Sequence, residues 1–307
     1  MKIGVNASQA YPSHLWPRGA YATAVGGAQS LANLSSAKLT PTEGKVRPDA
    51  RVALMIEVRP LRAACNALAS AVEALRPNEW RITFWHGDDN ACVEGPGNIH
   101  TKTMIATRRL SSLFPKEHAR AIRTASAPGW WARREWYNSV ITSVRFWSIM
   151  ERSIEHLLLF QADSVFCPNP SSPIASFFKY PFIGAPWDRR RQAKCLMLSH
   201  CVGNNGFALF RPRLIMRLLP LYNAQDRKGR IRNFDVWLMM NLQRWLPSER
   251  AAADFSVETI RFNMSSTPIG VHNPYPYLSR DSLEGLQTRC PRMRFLENGY
   301  SRLDKAG

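Results

Sequence analysis

The sequence lacks any run approaching the roughly 18–20 consecutive apolar residues that a membrane helix needs. Its longest apolar clusters, such as Leu157-Leu158-Leu159-Phe160, have the length of a strand. No secretory signal peptide is visible either. Paired CxxC spacing is missing among Cys65, Cys92, Cys167, Cys195, Cys201 and Cys290, which disfavours a structural zinc site. Cys195, His200 and Cys201 lie close together without matching a zinc spacing. At this length the chain does not need disulfides as its main support, so the compartment stays open on cysteine alone. There is no Walker A loop, no GxGxxG after the first strand and no GxSxG elbow. No internal repeat is found.

Acidic residues are scarce. Twenty-three Asp and Glu face 41 Lys and Arg, a formal net charge of +18. Such an excess attracts polyanions without choosing among them. The cations are mostly Arg and are scattered along the chain, as far as Arg302. The densest clusters are Arg189-Arg190-Arg191 with Lys194, and Arg227-Lys228-Gly229-Arg230 with Arg232. Neither carries the interleaved aromatics of a single-strand platform, and no zinc-finger, RNA-recognition or basic-zipper signature is present. Nucleic acid is disfavoured as a partner, and a solvated Arg-rich face is the simpler reading.

What is present is enough for a core. The chain has 307 residues, 45% of them apolar and 10% aromatic. Residues 1–49 read as a disordered leader, rich in Ala, Ser, Gly and Pro, with no acid before Glu43. An organelle transit peptide is a weaker reading of that stretch, because Arg is scarce in it. Order begins at Arg51. Residues 52–58 read as a buried strand, 60–75 as an Ala/Leu-rich helix and 80–86 as a second strand. This succession predicts a βαβ unit and an α/β fold on a mainly parallel sheet. Residues 98–106 read as a third strand, and 107–129 as a basic loop with a short helix. Residues 131–150 read as one helix, with Trp136, Val140, Val144, Trp147 and Met150 on a stripe. A strand follows at 156–161, then a glycine turn into a strand over 203–210. Helices are expected at 214–219 and 235–245. Residues 50–280 form the domain, and 281–307 read as a loose, polar C-terminal tail.

Several residues could carry chemistry. Asp163 follows a strand, and ligands of open α/β sheets gather at strand carboxyl ends. A carboxylate there suits a hard divalent cation, or simply caps a turn. Gly203-Asn204-Asn205-Gly206 could let a sugar approach the backbone, or could be a hairpin turn. Asp235 could be a general base or a complement to its helix dipole. His272 could ligate a metal or be structural. Glu57 and Arg59 could grip a nucleotide or form an ion pair.

The segments YNSVITSVRFW (137–147), LLLFQADSVFC (157–167), YPFIGAPW (180–187), VGNNGFALF (202–210), FDVW (234–237), FSVE (255–258) and GVHNPYPYL (270–278) form an ordered series. This series resembles an uncharacterised glycosyltransferase-like family, a domain of unknown function on the nucleotide-sugar (GT-A) fold. The resemblance spans roughly residues 51–280. It implies a Rossmann-like α/β architecture with a mixed, mainly parallel sheet and flanking helices. It implies that Asp163 and His272 bind Mn²⁺ or Mg²⁺ on a nucleotide-sugar donor, and that Gln161 bonds the ribose or sugar. Gly203, Asn204, Asn205 and Gly206 would border the sugar, and Asp235 would take the proton of an acceptor hydroxyl. The acceptor class (glycan, protein or lipid) stays open. Relatives of this fold commonly work in the secretory pathway, which implies the Golgi lumen. Against the family pattern, Pro181 replaces Asp, Phe234 replaces an acid, Asn205 replaces Gly and Phe210 replaces Arg. Two alternatives stand beside the enzyme: an inactive relative acting as a binding protein, and a basic polyanion binder.

Overall fold

The computed structural model describes residues 50–59, 61–75, 79–87, 105–116, 119, 130–151, 154–190, 195–196, 198–221 and 233–296. The expected leader lies outside the described residues. So do most of the expected turn at 87–90, the first part of the expected third strand and the Arg227–Arg232 cluster.

The fold is α/β, with a mixed, mostly parallel sheet between helical layers. Strand β1 (Arg51–Glu57) is followed by helix α1 (Arg62–Ala74) and β2 (Arg81–His86). Then come β3 (Ile105–Arg109), α2 (Leu110–Leu113), α3 (Trp130–Ile141), α4 (Val144–Glu151), β4 (His156–Phe160) and β5 (Ser164–Phe166). Strands β6 (Phe182–Pro186) and β7 (Val202–Phe210) precede α5 (Pro212–Leu218), α6 (Phe234–Asn241) and α7 (Glu249–Phe255). The chain ends its described part with β8 (Ser256–Val257), β9 (Gly270–His272) and α8 (Arg280–Arg289).

The six-stranded sheet has the order β3-β2-β1-β4-β7-β6. Strands β3, β2, β1 and β4 run parallel, and β7 is antiparallel to both β4 and β6. Alternation along the strands sorts side chains to two faces. Ala53, Met55, Ile82, Phe84, Leu158, Phe160, Phe207 and Leu209 pack on one side with Ala64, Ala67 and Ala71 of α1 and with Phe255 of α7. The small alanines let α1 lie close to the sheet. On the other side Trp85 meets Phe146 edge-on at 5.5 Å, and Trp147 meets Phe210 at 5.5 Å and Phe234 at 6.1 Å.

Three expectations change. The helix expected over 131–150 is two helices broken at Thr142 and Ser143. Their hydroxyls bond back to the Asn138 and Val140 carbonyls, and the Phe146 amide donates to Ser143 Oγ. Hydroxyls that compete for backbone groups end one helix and start another. The glycine turn expected at 203–206 is instead part of the nine-residue strand β7. Its partner β6 absorbs the irregularity by register shifts around Gly184 and Ala185. A Cβ at Gly184 would lie 1.9 Å from the Asn204 carbonyl oxygen, so only glycine fits there.

The loose tail expected over 281–307 begins as helix α8, capped by Ser279 Oγ accepting from the Ser282 amide, and residues 297–307 lie outside the described residues. Leu286, Cys290, Met293 and Leu296 are buried against Val165, Val257 and Val271. The residues spaced to reach that core (Leu283, Leu286, Cys290, Met293) follow the helical period, and the polar remainder faces out. Cysteine was also undervalued in the sequence. Cys167 pairs with Cys290 and Cys195 with Cys201, Cys65 is disulfide-bonded as well, and no described cysteine is free.

The Cys167–Cys290 bond spans 123 residues of chain and ties the end of α8 to β5. Crosslinks closing loops of this size stabilise by about 2–5 kcal/mol. Cys290→Ser is therefore expected to lower the unfolding free energy by about that amount. Urea melts of the two proteins, with proteolysis at α8, measure the effect. Identical midpoints would contradict it.

Candidate functional site

The site forms where the carboxyl ends of β1 and β4 meet the small sheet β5-β9-β8. Met55 pairs with Phe160, so Glu57 and Arg59 leave the main sheet at the same edge as Gln161 and Asp163. Residues 161–164 make a tight turn in which the Ser164 amide donates to the Gln161 carbonyl at 3.1 Å. The Gly206 carbonyl fixes this turn to β7. It accepts from the Gln161 amide at 2.8 Å and from Ser164 Oγ at 2.8 Å.

Strand β9 lies between β5 and β8. Its register sets Ser164 opposite His272 and Val257 beside Val271. The residue before Ser164 and the residue after Val257 therefore flank His272. His272 Nε2 lies 3.4 Å from Asp163 Oδ1, and Nδ1 lies 3.2 Å from Glu258 Oε1. All three side chains are buried. Neither contact has full hydrogen-bond geometry, so both ring nitrogens are buried without a hydrogen-bond partner. One glycine lies against the imidazole and a second lies against the Phe207 ring beside it. A Cβ on Gly206 would sit 2.2 Å from His272 Nε2, and one on Gly270 would sit 2.3 Å from the Phe207 ring.

Electrostatics follow from this packing. Burial alone would lower the His272 pKa, but Asp163 and Glu258 outweigh it and push it up to about 10. Burial would raise the Asp163 pKa, but His272 and then Arg59 hold it below the usual carboxylate value. Tyr137 of α3 is buried, and burial drives its phenol well above the usual value. Its hydrogen bond with Gln161 opposes that, while Asp235, Asp163 and Glu57 add to it. Tyr137 is thus a neutral hydroxyl among the groups expected to form the site.

Other expected residues fall as follows. Glu57 is 4% exposed and forks onto Arg59, accepting from Nε at 2.8 Å and Nη2 at 2.7 Å. Asp235 opens α6, and its Oδ1 accepts from the Val236 amide at 2.7 Å. Gly203 lies under α6, where a Cβ would be 3.3 Å from the Asp235 carbonyl oxygen and 3.1 Å from Met239 Cβ. Asn204 Oδ1 accepts from the Gly206 amide at 2.7 Å, so it braces β7. Asn205 is buried in the same strand. The structure brings together Asp163 and His272, with Gly206 against the ring and Gln161 in the same turn. Gly203 acts through its packing with α6. Sequence reasoning missed Tyr137 and Glu258, although the YNS and FSVE blocks contain them. Cys195, His200 and Cys201 are not a metal site, because the two cysteines are bonded to each other.

The residues can be tested against a divalent cation. Among the described residues, no three His, Cys, Asp or Glu side chains are grouped to hold a metal. Mg²⁺ and Mn²⁺ sites that share a phosphate need only one or two protein carboxylates or imidazoles. Asp163 Oδ1 and the orphaned His272 Nε2, which face each other at 3.4 Å, fit such a two-residue site.

The metal-free protein should carry a signature in alkali. A folded-state His pKa raised from 6.5 to about 10 gives stability that is complete below pH 6.5. That stability is lost as pH rises through about 10. The melting-temperature advantage of wild type over His272→Gln should shrink from pH 6.5 to pH 10. An advantage that grows over this range would contradict the assignment.

No curated protein's sequence matches this chain. Among solved structures, mouse xyloside xylosyltransferase 1 is similar at 12% identity and TM-score 0.46, covering 75% of this chain and 99% of that one. Core-mannan synthase A of Aspergillus fumigatus, in its Mn/GDP form, is similar at 10% identity and TM-score 0.42, covering 69% and 79%. The galactosyltransferase LgtC, with donor and acceptor sugar analogues, is similar at 14% identity and TM-score 0.40, covering 80% and 94%. With TM-scores below 0.5, these likenesses decide nothing about activity. Residues 122–272, which contain the motif series from YNS through GVH, match the family described as "Protein of unknown function (DUF5672)".

Proposed function

We propose that this protein is a metal-dependent glycosyltransferase that moves a sugar from a nucleotide-sugar donor to an acceptor hydroxyl. The observation that carries the reading is the facing pair Asp163 and His272 at the carboxyl edge of the sheet. Four of the seven motif blocks meet there: QAD, GNNG, FSVE and GVH.

In this reading Asp163 and His272 hold Mn²⁺ or Mg²⁺ together with the donor diphosphate. The bound cation would offset the charge that builds on the leaving nucleoside diphosphate. Gln161 faces the ribose or sugar and accepts or donates through its amide. Tyr137 keeps its proton and offers a phenolic donor beside Gln161. Arg59, oriented by Glu57, adds positive charge at the same edge. Asp235, at the start of α6, takes the proton of the attacking hydroxyl. Gly206 lets the His272 ring lie close against β7 beside Asp163.

Disulfide bonding supports an oxidising compartment such as the secretory lumen, because such bonds do not persist in a reducing cytosol. Among the described residues no helix is long and apolar enough to cross a membrane.

The test is Mn²⁺-dependent binding of UDP and GDP by calorimetry, with hydrolysis of a panel of nucleotide sugars. Asp163→Asn is expected to weaken Mn²⁺-dependent nucleotide binding by about 3 kcal/mol, roughly 100-fold in Kd. Equal nucleotide binding by both proteins with and without Mn²⁺ would sink the metal-site reading. Nucleotide binding without turnover of any sugar donor would favour a binding protein.

A further inference from the structure

Glu258 is a buried carboxylate that the proposed reaction does not use. It is 5% exposed, and burying a carboxylate is costly unless its partners compensate. Its two oxygens divide between two neighbours. Oε1 faces His272 Nδ1 at 3.2 Å, and Oε2 accepts from Trp187 Nε1 at 3.2 Å. Trp187 closes the IGAPW block, and its own amide donates to the Cys201 carbonyl at 2.9 Å. The next residue along from Glu258 is tied down as well. Thr259 Oγ1 accepts from the Asp188 amide at 2.8 Å and donates to the Pro186 carbonyl at 3.2 Å. The Glu258 carboxylate is therefore held by the end of β6 and aimed at one nitrogen of one imidazole.

We infer that Glu258 is a positioning residue that orients His272 as a metal ligand. With Oε1 placed 3.2 Å from Nδ1, it favours the ring form that carries its proton on Nδ1, which leaves the free lone pair on Nε2, the nitrogen that faces Asp163 Oδ1. Gly206 lies against the Nε2 side of the ring, where any Cβ would displace it. Carboxylate–imidazole–metal chains work in this way. Removing the outer carboxylate commonly weakens metal affinity about 10–100-fold. Trp187 belongs to the same device, one step further out. The inference rests on the metal-site reading above and extends it to two residues that touch neither metal nor donor.

The experiment is Mn²⁺ titration of the purified full chain, with free Mn²⁺ read by electron paramagnetic resonance. Wild type, Asp163→Asn, Glu258→Gln, Glu258→Asp and Trp187→Phe are compared, each checked for folding by circular dichroism. Glu258→Gln is expected to raise the Mn²⁺ Kd about 10–100-fold. Glu258→Asp retains an acceptor and should recover part of that loss. Trp187→Phe leaves every charge in place but frees the carboxylate, so it should weaken binding in the same direction by less. This last variant separates orientation from simple loss of negative charge, and it carries the test if Glu258→Gln does not fold. If wild type binds Mn²⁺ in an Asp163-dependent way while Glu258→Gln and Trp187→Phe bind equally well, the inference is overturned and the metal site stands. If wild type binds no Mn²⁺ either alone or with UDP or GDP present, or Asp163→Asn binds as wild type does, both are overturned.

Discussion

The site depends on the placement of one three-residue strand. Strand β9 is the middle strand of the small sheet, and both of its edges are occupied. One neighbour is the strand that follows Asp163, and the other is the strand that precedes Glu258. Register does the rest, since a one-residue slip would turn His272 to the opposite face. Gly206 and Gly270 make that register the compact one, because each lies against an aromatic or imidazole ring that a Cβ would displace. The cystine at Cys167–Cys290 then holds β5 to α8, whose apolar face covers the same small sheet.

The charges follow from this geometry. Asp163, His272 and Glu258 are all buried, and none would be stable there alone. The imidazole, whose pKa the two carboxylates raise, lies between them at 3.4 and 3.2 Å and offsets one of their two charges. The same logic holds for Glu57 and Arg59, where a bidentate fork neutralises a carboxylate at 4% exposure. A bound cation would compete with the His272 proton for the same nitrogen, because ligands must be deprotonated to coordinate. Stability of the empty site and affinity of the filled one are therefore in tension.

Two features that looked like defects or excess in the sequence have structural roles. Phe234 and Phe210 stand where the family resemblance led us to expect charged residues. Here both are fully buried and share one aromatic cluster with Trp147, with Phe182 tilted against Phe210 at 5.0 Å and Trp237 stacked on Phe234 at 6.0 Å. They anchor β7 and α6, the elements that carry Gly206 and Asp235. Pro181 lies beside the same strand, and its carbonyl accepts from the Arg211 amide at 3.0 Å. Part of the Arg excess likewise has a structural role. Arg189 donates to the Cys195, Leu198 and Ser199 carbonyls and to Glu249, which bind the Cys195–Cys201 loop to α7. Arg211 donates to the Phe178 carbonyl, and Arg261 to the carbonyls of Ser282 and Met264. These side chains hold loops through backbone oxygens, where a count of charge alone sees only a basic surface.

The local pattern of the sequence was enough for the first βαβ unit, the apolar β4 and the α/β class. Those elements are set by period-two and helical spacing, which any window of the chain reveals. The motif series also pointed to Asp163, His272, Gln161 and Gly206 as neighbours, because a shared order of blocks reflects a shared fold. Spacing along the chain could not reveal what depends on distant segments. Glu258 and Tyr137 read as ordinary polar residues in their own windows. Their proximity to His272 and Gln161 arises from pairing between strands and from packing of α3. The cystines were hidden for the same reason, since 123 residues separate Cys167 from Cys290. Helix α8 and the turn after it carry a Leu283–Leu286–Cys290–Met293 spacing, but the polar composition around it masked the signal. Chemistry-bearing residue types were determined by the sequence; which of them touch was decided by the tertiary structure, because contact depends on strand order and register that no local window contains.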